Sequence, residues 1–344
     1  MVSAVDLISM AFVVILGTGT ALDGQANRIN KMSNTDKKTG ASFVDCYGYT
    51  NCVKLENGST RVILEPSCGG RVLEYSLNGK NSLYVDPAQN GWVYRAGKNG
   101  IDPSGARMDF GPEKTVPAHP DLWLGKWQAQ ITSEHSAKMT SLEDKNAGVQ
   151  LVREFTLDES SSKLTVTQRI RNISKKTKHY CHWGRTLALG GGICIIPLTP
   201  NSRFPNKYIM YENGSTINYA PVDSNIIVTD KYIEVVGTPA YPKLGLDSYT
   251  EWFCYLTPND LMFVKRFATY PDRVYNEIAG LTISIWYYKN VMCELEPIGP
   301  RDDIEPGQSV SFTEQWWLIP YEFPKKPADI DPEQVAQAVQ KYTH

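Results

Sequence analysis

The sequence predicts an all-β fold, an antiparallel sandwich, on three observations. Apolar and polar residues alternate with period two along most of the chain, the pattern of half-buried strands. Asn-Gly pairs separate several of these runs, where a tight hairpin turn needs a positive backbone φ. Between residues 50 and 325 no segment carries a strong helical repeat, so neither a doubly wound sheet nor a TIM barrel can be assembled.

The elements follow in chain order. Residues 7–16 are apolar and are followed by small residues at 17–21, the h-region and cleavage pattern of a secretory signal peptide. Asp6 and the missing basic n-region depart from that pattern. The run is too short to span a bilayer as a mature helix. Residues 1–25 are therefore expected to be a signal peptide, giving a secreted or periplasmic chain with no membrane insertion after cleavage. Residues 26–48, rich in Asn and Lys, read as a flexible lead-in.

The domain proper is expected over 49–325. Runs 53–56 and 61–65 flank Asn57-Gly58, and run 71–77 leads into Asn78-Gly79. Alternating runs recur at 151–157, 163–171, 226–229, 232–236, 261–267, 281–288, 291–296 and 309–318. Only 331–341, in the 326–344 tail, reads as a helix, with Asp331 as N-cap and Pro332 at the first helical position.

Composition narrows the function. Among 344 residues, 35 Lys and Arg face 37 Asp and Glu, a net charge of -2 that argues against nucleic-acid binding. With 42% hydrophobic residues the chain can bury a sizeable core. It is rich in aromatics, 19 Tyr, 10 Phe and 8 Trp, which sheets favour and which also suit sugar-binding clefts. Seven cysteines include no Cys-x-x-Cys pair, so no zinc ribbon or thioredoxin-like site is indicated. Cys46 and Cys52 are close enough for a short-loop disulfide if the chain is exported. A monomer or weak dimer is expected.

Three segments are not explained by strand-building. Residues 105–113, continuing through His119 to Trp127, read as a long loop crowded with Gly, Pro, charges and Trp. In 172–186, His182 shares one face of a strand with Tyr180 and Gly184. In 293–302, Glu296 ends an apolar strand just before a proline-rich turn.

At these segments the chain resembles the galactose mutarotase-like superfamily, the aldose 1-epimerases and hexose-6-phosphate epimerases. Phe110-Gly-Pro112 with His119, Asn172 to Thr177 with His182, and Leu295-Glu-Pro297 stand in the family's order. The Pro-Gly turn in 304–316 is also similar to the family's closing strands. The resemblance covers roughly residues 50 to 320 and implies a β-supersandwich. More narrowly, Gly69-Gly-Arg71, His119 to Trp123, Lys243 to Asp247 and Leu261 to Phe267 look like a branch of secreted bacterial proteins. His119-Pro120, Cys181-His-Trp183 and Glu296-Pro-Ile298 depart from the family's motifs, which puts its substrate contacts in doubt here.

Interconverting sugar anomers needs a base for the C1 hydroxyl and an acid for the ring oxygen. Glu296 is the expected base and His182 the expected acid. His119 and Arg107 would bind hydroxyls, and Trp123 or Trp183 would stack on the sugar. Asp247 would accept hydroxyl hydrogen bonds or merely shape a turn. No metal and no other cofactor is required; the expected partner is a sugar or oligosaccharide. Two other functions stay open: a carbohydrate-binding protein without turnover, and a polysaccharide lyase or glycoside hydrolase using Tyr180, His182 and Arg185. The catalytic reading requires Glu296, His182, His119 and Arg107 to converge on one surface.

Overall fold

The computed structural model describes residues 39–212 and 216–343. The expected signal peptide, residues 1–25, lies outside the described residues. Two antiparallel sheets, of thirteen and ten strands, account for nearly all regular structure among them. In the larger sheet, Ala106–Gly111, Lys178–Leu189, Met292–Pro297, Ile283–Tyr288 and Lys243–Leu246 lie side by side. In the smaller, Trp252–Thr257, Leu261–Phe267, Ser309–Pro320, Leu164–Asn172 and Val149–Leu157 do the same.

Period two builds the core. In Leu164–Asn172, Leu164, Val166, Gln168 and Ile170 are buried, and the residues between them are half-buried or exposed. Inward residues of both sheets, among them Phe110, Leu295 and Ile285 from one and Phe263, Phe312 and Trp316 from the other, form one continuous apolar layer. The back of the smaller sheet is also apolar, and helix Pro332–Tyr342 covers it by setting Val335 and Val339 against Cys254, Val264 and Trp317. Its cap is the expected one: Asp331 accepts from the Glu333 and Gln334 amides, with Pro332 following.

The Asn-Gly turns act in two ways. Asn78 and Gly79 both have positive φ (51° and 80°), the mirror-image turn that matches strand twist. Asn57 works through its side chain, accepting from the Ser59 and Thr60 amides while donating to the Asp158 and Ser161 carbonyls.

Several expectations are corrected. Strand Gly40–Cys46 begins inside the stretch read as lead-in. The segment read as a loop from 105 to 113 is largely a strand, Ala106–Gly111, in the larger sheet. A one-turn helix, Pro120–Trp123, interrupts the loop after it. Cys46 and Cys52 form no disulfide; all seven cysteines are free. Hairpin register sets Cys52 opposite Val44, and Cys46 opposite Tyr49. Among the described residues, no helix is long and apolar enough to cross a membrane.

Candidate active site

The face of the larger sheet that turns away from the smaller one carries a cluster of charged side chains. Alternation puts Arg107 and Asp109, Trp183 and Arg185, Glu294 and Glu296, Ser284, and Lys243 on it, each from a strand adjacent to the next. Register aligns Arg107 with Arg185, Asp109 with Trp183, and Ser284 with Glu296.

Arg185 is the hub. Its Nε lies 3.0 Å from Glu294 Oε1 and 3.2 Å from Glu296 Oε1, and its Nη1 lies 3.6 Å from Asp109 Oδ2. Arg107 donates to Glu294 (3.0 Å) and Asp102 (2.5 Å) and lies over the Trp123 ring, 4.1 Å from its centroid. Lys243 donates to Glu113 and sits 5.1 Å from the Trp183 ring centre. Both glutamates are buried, and Arg185 is the part-exposed partner above them.

These surroundings drive the two glutamates apart. Burial disfavours both anions, but the guanidiniums of Arg185 and Arg107 overcome it at Glu294 and hold its pKa well below the usual range. At Glu296 burial dominates, the neighbouring Glu294 charge adds to it, and Lys243 and Arg185 offset only part; its pKa is raised. Glu296 is met by Arg185 and by the Ser284 hydroxyl, whereas Trp183 Nε1 and Arg107 Nε, buried on the same face, have no partner. Buried polar atoms of this kind are ordinarily satisfied, so their clustering marks a place for a polar ligand or water.

Neither a family profile nor a curated sequence matches the chain. Solved structures do. A galactose mutarotase-like protein from Clostridium acetobutylicum superposes with a TM-score of 0.56 at 11% identity, over 83% of this chain and 100% of that one. A galactose mutarotase related enzyme from Lactobacillus acidophilus gives 0.54 at 10% identity, over 79% and 98%. A candidate aldose 1-epimerase from Escherichia coli K12 gives 0.53 at 12%, over 82% and 100%. The chain has the galactose mutarotase-like fold.

On this mutarotase-like fold, Glu296, Arg107, Arg185, Trp123 and Trp183 gather as one group. His119 joins its edge: Nε2 contacts Asp109 (2.9 Å) and Nδ1 donates to the Pro117 carbonyl (2.7 Å), so both nitrogens are engaged. Burial opposes its charged form, but Asp109 prevails and raises its pKa. His119 thus orients Asp109.

His182 does not join. It shares a face with Gly184 and Thr186, and that face looks into the sandwich: the imidazole stacks on Phe312 of the smaller sheet. Burial pushes its pKa down to about 3, so it is neutral, and it stands on the opposite side of the sheet from Glu296. Tyr180 also faces inward, donating to the Ala147 carbonyl, so Tyr180, His182 and Arg185 form no lyase-like trio. Asp247 is consumed by a turn, accepting from Ser202 Oγ and from the Arg203 amide and guanidinium.

Sequence reasoning missed Glu294, Asp109, Lys243 and Ser284. The Glu294-x-Glu296 spacing was the available signal, since period two puts both carboxylates on one face. Among the described residues no group of His, Cys, Asp and Glu could hold a metal ion.

Proposed function

We propose that the protein interconverts the anomers of a sugar, as an aldose 1-epimerase does, with Glu296 as the acid–base group. The observation that carries this reading is the glutamate pair. Glu294 is clamped ionised by two arginines, whereas Glu296, buried beside it and touched by Arg185 at 3.2 Å, keeps a raised pKa. Paired titratable groups driven apart in this way are a recurrent acid–base arrangement.

In the reaction Glu296 takes the proton of the C1 hydroxyl as the bond between C1 and the ring oxygen breaks, leaving an open-chain aldehyde. A donor protonates the departing ring oxygen. We assign that donor to Lys243, because His182 faces the sandwich interior and His119 has no free nitrogen. Rotation about the C1–C2 bond presents the other aldehyde face; reclosure returns both protons. Trp123, half-buried beside the guanidiniums, supplies the apolar wall. The apolar run at 7–16 supports an encounter with the sugar outside the cytoplasm.

A carbohydrate-binding protein without turnover is the second reading, favoured by the position of Arg185 above both glutamates. Polarimetry over a panel of freshly dissolved aldoses and uronates, run beside an absorbance screen for lyase products, separates the readings. Accelerated mutarotation of at least one sugar is expected. Unsaturated product, or binding without acceleration across the panel, overturns the proposal.

A further inference from the structure

We infer that Lys265 is a positioning residue, gripping the Glu294–Glu296 segment from behind the sheet. The inference rests on reading Glu296 as the acid–base group. Lys265 belongs to Leu261–Phe267 of the smaller sheet, on the same inward face as Phe263 and Phe267. Its side chain is fully buried and crosses the sandwich to the larger sheet. Its three ammonium protons meet three acceptors: Glu314 Oε2 (2.9 Å), Thr186 Oγ1 (2.7 Å) and the Leu295 carbonyl (3.2 Å).

The identity of those acceptors matters. Leu295 is the residue between Glu294 and Glu296, and Thr186 follows Arg185. One cation of the far sheet therefore holds the backbone between the two carboxylates and the side chain beside their guanidinium. Glu314 is itself anchored, accepting from Gln168 Nε2 (2.5 Å) and Trp316 Nε1 (2.8 Å). Stability alone is a poor reason for this arrangement, because a buried ion pair commonly contributes no more than apolar residues of similar volume. A fixed register of the strand that carries the site is a better one.

Lys265 also acts through its charge. It lies behind the sheet from Glu296, near enough for the two to interact electrostatically. On its own face of the sheet Glu296 faces Glu294 on its own strand, Arg185, Lys243 and Ser284, with Tyr211 farther along. Behind the sheet Lys265 faces Glu314 and the like charge of Arg153. Removing Lys265 therefore disfavours ionised Glu296, and removing Glu314 favours it.

The test compares Lys265→Met, Glu314→Gln and the double variant in the full chain. Glu296 ionisation is followed by carboxyl 13C shifts, assigned with Glu296→Gln, and by the pH profile of kcat/KM. We expect the inflection to rise by about half to one pH unit in Lys265→Met, to fall by a similar amount in Glu314→Gln, and to return towards wild type in the double variant. In Lys265→Met, kcat should drop about tenfold or more with KM changed less than about twofold. Loss of stability in both single variants without opposed shifts overturns the inference. Should Lys265→Met fail to fold, the shift in Glu314→Gln and its reversal in the double variant decide. The carboxyl titration needs no turnover, so opposed shifts in a protein that converts no sugar support the grip of Lys265 and sink the epimerase reading.

Discussion

Glu294 and Glu296 stand two residues apart on one strand face, and their neighbours give them opposite behaviour. The raised pKa of Glu296 has a consequence for stability. Below the unfolded-state value, about 4.3, the group is protonated in both states and costs nothing. As pH rises through the folded value, the unfolded chain ionises readily while the native site resists, and stability is lost. Glu296→Gln removes that loss. The variant is expected to melt several degrees above wild type at pH 8 and at the same temperature near pH 4, as measured by thermal unfolding across pH. Equal melting points at both pH values would show that Glu296 ionises in the fold as easily as in the open chain. Such a gain in stability is the usual trade-off expected on removing the proposed acid–base residue.

Strand Lys178–Leu189 shows what period two reveals and what it hides. Alternation correctly placed Tyr180, His182 and Gly184 on one face, but not which face looks into the sandwich. Polar residues occupy both sides, His182 and Thr186 inward and Arg185 outward, so polarity gave no cue. Strand Ala106–Gly111 misled for a related reason: Arg107 and Asp109 read as loop charges because their partners, Glu294 and Arg185, lie far along the chain. The Asn-Gly hairpins and the capped helix were legible because their determinants are local. The inward face of His182 yields its own prediction. Because burial holds the folded imidazole neutral, the native state loses stability as pH falls below about 6.5, at up to about 1.4 kcal/mol per pH unit. His182→Phe should flatten that acid limb in denaturant titrations and leave kcat/KM within about twofold. A folded His182→Phe protein without turnover would return the imidazole to the reaction.

At the scale of the molecule, sheet order does what sequence spacing could not. Residues 107, 185, 243, 284, 294 and 296 become neighbours because their five strands are consecutive in the larger sheet. The smaller sheet backs that surface with a buried cation, and the apolar layer between them keeps both in place. The architecture was legible from alternation and from the order of three weak motifs. The site was legible only where a motif residue happened to face outward, as Glu296, Arg107 and Arg185 do. The most direct test of the account pairs calorimetric sugar binding with polarimetric turnover for wild type and Glu296→Gln, on the sugar that wild type converts. Glu296→Gln is predicted to bind that sugar within a few-fold of wild type while kcat falls about 10²- to 10⁴-fold. Turnover at the wild-type rate in that variant would contradict the assignment of Glu296 and the mechanism built on it.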